Sequence, residues 1–378
     1  MLDLTSGGDE QKYMVQSNSA LSLTFRSASK QLEDFIASPV YTHHIFDKEI
    51  IYGYENLQLN IIVDRTSLDM QLCVKFDEQI DLPNLKIKDF AEYFESSIGL
   101  KFKDSTSKSD GECDISNIHG KEVQRLERDD GIYLITSIKQ ANDKETELIM
   151  NFQFLNHFFI ENASNIDPSD ENWEFLILYK YYPDIKSYAA CGYLSFYNFF
   201  HYPDKIRRRL AQILILPEFQ NRGLAKFLVK TLYEISKEDD KTYDVTVEDP
   251  NVDFCYMRDK LDLSIIKQSP NSKMLEDYSL FKKSIKKEFK FSNPQIYKLY
   301  KFMKILEFMD EEEKLQNVEN DLFEMESKAQ LNLLKKAEKI KQYDEEFFQI
   351  STEDFYGSYI RFKENFKQCV DFLKIINE

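Results

Sequence analysis

Apolar and polar positions alternate through much of the first half of the chain. SALSLTF (19–25), LQLNIIVD (57–64) and QLCVKFD (71–77) predict strands, and NLKIKDFAEYFESSIG (84–99) has helical spacing. A polar run, KDSTSKSDGECD (103–114), predicts a loop. ETELIMNFQFLNHFFIENASNI (145–166) places apolar residues three and four apart, the mark of a helix. WEFLILYKYY (173–182), AACGYLSFYNFF (189–200) and RRLAQILILP (208–217) then read as apolar strands. A short polar turn, a helix (KFLVKTLYEISK, 226–237) and a last strand (YDVTVED, 243–249) follow. That order implies an α/β sheet.

Beyond about residue 266 the pattern changes. Gly357 is the only glycine there, and stretches such as 308–342 are helical throughout. Leu315, Val318, Leu322, Met325 and Ala329 fall on an a/d seam, too short to demand a coiled coil, so a helical hairpin is the plainer expectation. The expected organisation is a frayed polar tail over 1–20, a mixed α/β domain over 21–124, an α/β domain over 125–265 and a helical domain over 266–378.

Composition narrows the functional classes. The 378 residues are 42% hydrophobic, ample for a core, and the formal charge is −17. That sign argues against a direct nucleic-acid binder and suits a basic partner, or solubility alone. KIRRR (205–209) is the one basic cluster that tempts otherwise; a loop capping the sheet or contacts to cofactor phosphates explain it as well. Five scattered cysteines (Cys73, Cys113, Cys191, Cys255 and Cys369) form no CxxC pair, and the His43–His44 pair lacks metal-ligand spacing. No metal, membrane span or signal peptide is expected.

The chemistry concentrates in two places. Gln220-Asn221-Arg222-Gly223-Leu224-Ala225 has the form Q-x-x-G-x-A at a strand-to-helix junction. Unpaired amides and the helix dipole there suit a phosphate or pyrophosphate, and Gly223 lets the backbone approach it. The next strand ends on Glu248 and Asp249. By themselves these are an ordinary solvated strand end.

Four blocks in order carry a resemblance. They are YTHHIFDKEIIYGYENLQL (41–59), FFIENASNID (158–167), the stretch 191–228 with its YPDK and LILP-x-FQ elements, and 243–263 with EDP-x(7)-RD. Together they resemble the catalytic subunits of type B histone acetyltransferases, within the GNAT superfamily. Ala225 stands where GNAT turns often carry a second glycine, and the C-terminal region diverges, so no role carries over to it.

The resemblance implies a GNAT sheet flanked by a mixed α/β N-terminal domain and a helical C-terminal domain. It implies acetyl transfer from acetyl-CoA to N-terminal tail lysines of free, newly made histone H4, with H3 and a WD40 β-propeller histone chaperone as partners. Work in nucleus and cytoplasm is expected. Glu248 is implied as the general base, with Asp249 and Glu161 in support; Glu161, placed by the NHFFIEN pattern on a helix, is otherwise a surface residue. A lysine with an unperturbed pKa near 10.4 must lose a proton before it attacks a thioester. Backbone groups of Ile213, Leu214 and Ile215 would hold the pantetheine arm and the thioester carbonyl, where that strand bulges away from its neighbour. Residues Gln220 to Lys226 would take the pyrophosphate. Asn251 would lie against the cofactor, or else cap the following helix. Asp47-Lys48-Glu49 and Tyr197-Asn198-Phe199 match segments that contact the H4 tail, with Lys48 more basic than the family's pattern. Cys191 and Cys255 have no histidine to activate them, so both are expected as buried structural thiols and transfer as direct. Two alternatives stay open: a GNAT enzyme acting on another protein or a polyamine, and a non-catalytic histone-binding module.

Overall fold

The computed structural model describes residues 11–27, 29, 31–80, 87–103, 118–341 and 353–377. Residues 1–10 of the expected tail and most of the 103–114 loop, with Cys113, lie outside the described residues. The rest of the chain divides into two compact units. One holds residues up to 235 together with 247–249; the other holds 236–246 and the chain from 250 on.

The first unit contains two main sheets. The smaller has strands β1 (Leu21–Arg26), β2 (Phe35–Ala37), β3 (Gln58–Asp64) and β4 (Met70–Lys75) in the order β2-β1-β3-β4. β1 and β3 run parallel and the outer pairs antiparallel. Leu21, Leu23 and Phe25 of β1 are buried, as are Leu59, Ile61 and Val63 of β3, so every second side chain faces the core. The expected tail is folded in its second half: Met14–Gln16 pairs antiparallel with Ile50–Tyr52. Helix α1 (Phe90–Ile98) starts where the Asp89 side chain accepts the amides of Ala91 and Glu92 at 2.7 and 3.1 Å.

The larger sheet runs β5 (Lys121–Arg128), β6 (Gly131–Lys139), β7 (Trp173–Tyr182), β8 (Ser187–His201) and β9 (Lys205–Ile215), each antiparallel to the next. The hydrophobic pattern did not announce β5 and β6. KEVQRLER is half-exposed to exposed throughout, so an edge strand of this kind declares itself only by its pairing with β6. KIRRR likewise belongs to a strand, the start of β9, rather than to a capping loop; Arg207, Arg208 and Arg209 oppose Phe199, Asn198 and Tyr197.

Helix α2 (Asp143–Phe159) opens on a capping box, the Asn142 side chain accepting Glu145 N–H and the Glu145 side chain accepting Asn142 N–H. Its last three turns are buried almost all round, polar Asn151, Gln153, Asn156 and His157 included. A helix with no solvated face must satisfy those polar groups internally. The backbone joins the two sheets of this unit: Phe158 O accepts the amides of Val40 and Tyr41, and Arg65 O accepts that of Ala190 at 2.7 Å.

Helix α3 (Leu224–Glu238) and strand β10 (Thr242–Val247) follow. The second unit is built on α4 (Val252–Lys267), α5 (Tyr278–Phe289), α6 (Asn293–Phe308), α7 (Glu312–Lys341) and α8 (Glu353–Asn377). Phe281, Ile285, Ile296, Leu299 and Ile305 form its core. Gln295 in α6 donates to Asp262 at 2.7 Å and to Asp259 at 3.2 Å, and Arg258 and Lys298 pair with the same two carboxylates, so these buried charges are compensated. The α7 seam is real: Val318 and Leu322 are buried, Leu315 and Met325 half-buried, and the Ala329 side chain lies outside the described residues. α7 packs on α8 through Phe323, whose ring lies 4.9 Å from Tyr359 and 5.3 Å from Phe362.

The pairing of β8 with β9 leaves no room for a side chain at Gly192. Gly192 opposes Ile215, and a Cβ there would run into Leu214 O and the Ile215 side chain. Gly192→Ala is expected to cost about 1–3 kcal/mol through forced separation of β8 from β9. The urea midpoint of the variant checks this; an unchanged midpoint would show that the strands part freely.

Candidate active site

The site is built along β9. Ser195 opposes Gln212 and Phe196 opposes Leu210, which leaves Ala211 as an extra residue without a partner on β8. Such a bulge bends a strand and raises its twist, and bulges recur beside active sites. The bulge lies two residues before the expected position: Ile213, Leu214 and Ile215 stay in register with Leu194, Tyr193 and Gly192. Glu248 meets β9 at this point, its amide donating to Leu210 O at 2.9 Å. The Glu248 and Asp249 carboxylates are exposed, and Asp249 takes a positive φ of 32° that aims the chain sharply out of the strand.

Beyond Ile215 the chain enters the turn. Leu216 N–H donates to Cys191 O at 2.8 Å, and Gln220 Nε2 donates back to Ile215 O at 2.9 Å. Asn221 and Gly223 adopt left-handed conformations with φ of 59° and 73°. Phe227 N–H finds Gly223 O at 3.2 Å, whereas the amides of Leu224, Ala225 and Lys226 stand at the helix start, where no carbonyl lies a turn behind them. A Cβ built on Gly223 meets nothing within 4 Å, so the backbone is open to a ligand. Arg222 is anchored, donating to Asp130 Oδ2 at 3.3 Å and to Glu218 O at 3.1 Å, while Arg128 donates to Arg222 O at 2.7 Å. Burial alone would raise the Asp130 carboxyl, but bonds from Tyr133 and Lys180 and the nearby charges hold it below its ordinary value. Open amides, a glycine with free space and flanking guanidiniums fit the pyrophosphate of a CoA thioester.

The segment after α2 reaches the same strand from the other side. Contrary to expectation Glu161 is not helical: α2 ends at Phe159, Ile160 is extended, and Glu161 sits exposed in the following turn. The segment is stitched back onto α2 and β9. Gln153 Nε2 donates to Ile166 O at 2.9 Å and Gln153 Oε1 accepts Ile166 N–H; His157 Nε2 bonds Asn165 Oδ1 at 3.1 Å; Gln212 Nε2 donates to Ser164 O at 2.6 Å. On its outer side His43 Nε2 donates to Glu161 O at 3.2 Å. His43 Nδ1 lies 3.9 Å from Glu49, whose carboxylate also accepts Thr42 N–H at 3.1 Å. That backbone bond is the main reason Glu49 ionises below the ordinary carboxylate range. The structure therefore brings Glu161 and the Asp47-Lys48-Glu49 turn together, with Lys48 and Glu49 both at positive φ.

The remaining candidates divide. Asn198 is committed, donating to Glu174 at 2.8 Å, and Tyr197 bonds Asp170, which raises its hydroxyl pKa. Phe199 is exposed, with the Arg209 guanidinium 4.6 Å from its ring centre. Asn251 belongs to the second unit and caps α4, its side chain accepting Phe254 N–H at 2.8 Å. Cys191 is fully buried, and burial pushes its thiol well above the ordinary value, so it cannot serve as a thiolate nucleophile. Cys255, by contrast, is only half-buried. Sequence reasoning passed over Gln212, Asn156 and His43. The one signal for Gln212 was a polar residue inside the apolar run QILIL.

His157 makes the site sensitive to acid. Burial holds its imidazole below the ordinary value, its bond to Asn165 opposing and the adjacent His44 adding. The unfolded chain takes up a proton near pH ~6.5 while the folded one resists, so this stability is present above that pH and lost below it. Denaturation from about pH 7 to about pH 5.5 should weaken the wild type more than His157→Gln; equal losses would remove His157 as the cause.

Comparison with known proteins agrees with this geometry. The model of the histone acetyl transferase HAT1 N-terminus matches residues 13–161, and that of the acetyltransferase (GNAT) family matches residues 150–255. The histone acetyltransferase type B catalytic subunit of Candida albicans is 29% identical over 287 residues, 70% of this chain and 68% of that protein. Its Homo sapiens counterpart is 27% identical over 270 residues, 66% of this chain and 63% of that protein. One from Dictyostelium discoideum is 28% identical over 252 residues, 60% of this chain and 50% of that protein. The chain thus spans between half and about two thirds of these relatives' length. The two family models follow one another over the unit that carries the β9 bulge, the turn and Glu161, so the chain carries a region like the HAT1 N-terminus followed by a GNAT acetyltransferase domain, and it is similar to histone acetyltransferase type B catalytic subunits.

Proposed function

We propose that this chain transfers acetyl from acetyl-CoA to a lysine in the N-terminal tail of free histone H4. The observation that carries the reading is the placement of Glu248 on Leu210, at the bulge of the strand that leads five residues later into the open amide turn. Five extended residues span about 17 Å, enough to lay a pantetheine arm along β9 between turn and carboxylate. Acetyl-CoA supplies an activated thioester. The chain's own residues hold the phosphates at 220–226, hold the arm by the backbone of Ile213–Ile215 and take the proton of the incoming lysine at a Glu248 carboxylate oxygen, directly or through water. Asp249 beside it and Glu161 raise the negative charge that attracts an ammonium group. Attack is direct, since the nearest thiol of the sheet, Cys191, is buried and protonated.

The tail would run past Phe199 and the Asp47–Glu49 turn, whose exposed ring and Asp47 carboxylate suit aliphatic and cationic side chains. Histone H3 and a WD40 chaperone, as partners in nucleus and cytoplasm, belong to the same proposal.

The test is acetyl transfer to an H4 tail peptide, read by mass spectrometry, with spermidine as a competing acceptor. Glu248→Gln should lower kcat about 10²- to 10⁴-fold while leaving CoA binding intact. Full activity in that variant would sink the assignment of the base. Transfer to spermidine but not to the peptide would replace the histone by a polyamine.

A further inference from the structure

Gln212 is the single polar side chain between Leu210 and Leu216, and it is buried. Both ends of its amide are bonded. Oε1 accepts the Tyr193 hydroxyl at 2.6 Å and Asn156 Nδ2 at 3.0 Å, and Nε2 donates to Ser164 O at 2.6 Å. Its backbone amide donates to Ser195 Oγ at 3.2 Å, immediately after the Ala211 bulge. Asn156 also donates to the Tyr193 hydroxyl, and both residues are completely buried.

A core that needed only filling would use apolar residues here. Burying an amide, a second amide and a phenol costs stability unless every group is paired, and Asn156 Oδ1 has no partner among the described residues. What the arrangement provides is a fixed distance. The Gln212 side chain is the strut between β9 and the 160–166 segment. It stands two residues from Leu210, which holds Glu248, and reaches Ser164, three residues from Glu161. Resting on the acetyltransferase reading above, we propose that Gln212, backed by Tyr193 and Asn156, is a positioning residue that sets Glu161 and its segment relative to Glu248 across β9.

The amide polarity gives a selective test. Gln212→Glu keeps the acceptor for Tyr193 and Asn156 but, once ionised, has no hydrogen to give Ser164 O. When protonated, its O–H can donate there as the amide does. Burial at this position raises an introduced carboxyl from its ordinary value of about 4.3 toward neutrality, so the ratio of variant to wild-type kcat should fall as pH rises from about 6 to about 8, by on the order of tenfold to a hundredfold, the scale of a small misplacement at a reacting centre. KM for acetyl-CoA should stay constant. Amide hydrogen exchange at 160–166 should grow faster in the variant relative to wild type at the same pH over this range, a readout that needs no catalysis.

A pH-independent kcat ratio near one, with faster exchange, would reduce the strut to a structural role and overturn the proposal. A raised KM for acetyl-CoA with kcat retained would overturn it in favour of cofactor binding. If wild-type protein transfers no acetyl, the functional reading fails, and unchanged exchange at 160–166 would separately sink the strut. Should Gln212→Glu fail to fold, Tyr193→Phe replaces it. It removes one donor to Gln212 Oε1 and keeps the ring stacked 4.9 Å from Phe152. It should lower kcat about threefold to tenfold without changing KM for acetyl-CoA; unchanged kcat in that variant would overturn the proposal.

Discussion

Ala211, the extra residue in β9, interrupts a hairpin that is otherwise in register from Gly192 to His201. A continuous ladder would hold β9 straight against β8, and the carbonyls facing away from β8 would present an unbroken edge. The bulge bends the strand at the place where Leu210 O accepts Glu248 N–H. It also turns Gln212 into the core, where the amide meets Tyr193, Asn156 and Ser164. The carboxylate on one side, the 160–166 segment on the other and the amide turn at the strand's end are all referred to this one backbone.

Electrostatics divide along the same strand. Near the turn, cations gather: Arg222 and Lys180 pair with Asp130, Arg65 pairs with Glu218, and Arg128 donates to Arg222 O. On the proposed reading, a phosphate arriving there would meet donors already held in place, with little side-chain entropy lost on binding. Past the bulge, carboxylates dominate instead, with Glu248, Asp249 and Glu161 all exposed. A site that takes an anionic donor at one end and a cationic acceptor at the other needs such separation, because mixed charge would neutralise both attractions. The net charge of −17 does not reveal this division, which belongs to one strand rather than to the composition.

Part of the site was legible in the residues. The turn at 220–225 is local chemistry: a proline, amide-bearing side chains and a glycine at positive φ fix it within a few residues. Glu248 at a strand end is equally local. The helical setting expected for Glu161 failed because apolar spacing continues through Ile160 while the helix ends at Phe159; Gln153 and Gln212 capture the following backbone, and His157 the Asn165 side chain, with bonds the helix would have forbidden. Asn251 shows the converse. Its capping of α4 depends only on a residue three positions on, and both of its possible roles could be named beforehand.

By itself the sequence determined the elements whose stabilising partners lie nearby: the alternating strands, the helices with their Asp and Asn caps, the phosphate-type turn and the helical character of the C-terminal third. Only the tertiary structure decided which strand would be an edge, where β9 would bulge and which polar side chains would be buried together. β5 exists because β6 pairs with it, and Asn156, Tyr193 and Gln212 meet from three elements separated by up to 56 residues. Such contacts follow from the closing of long loops around a shared core. Their free energy is returned only once the whole unit is assembled, so no local window of the chain contains it.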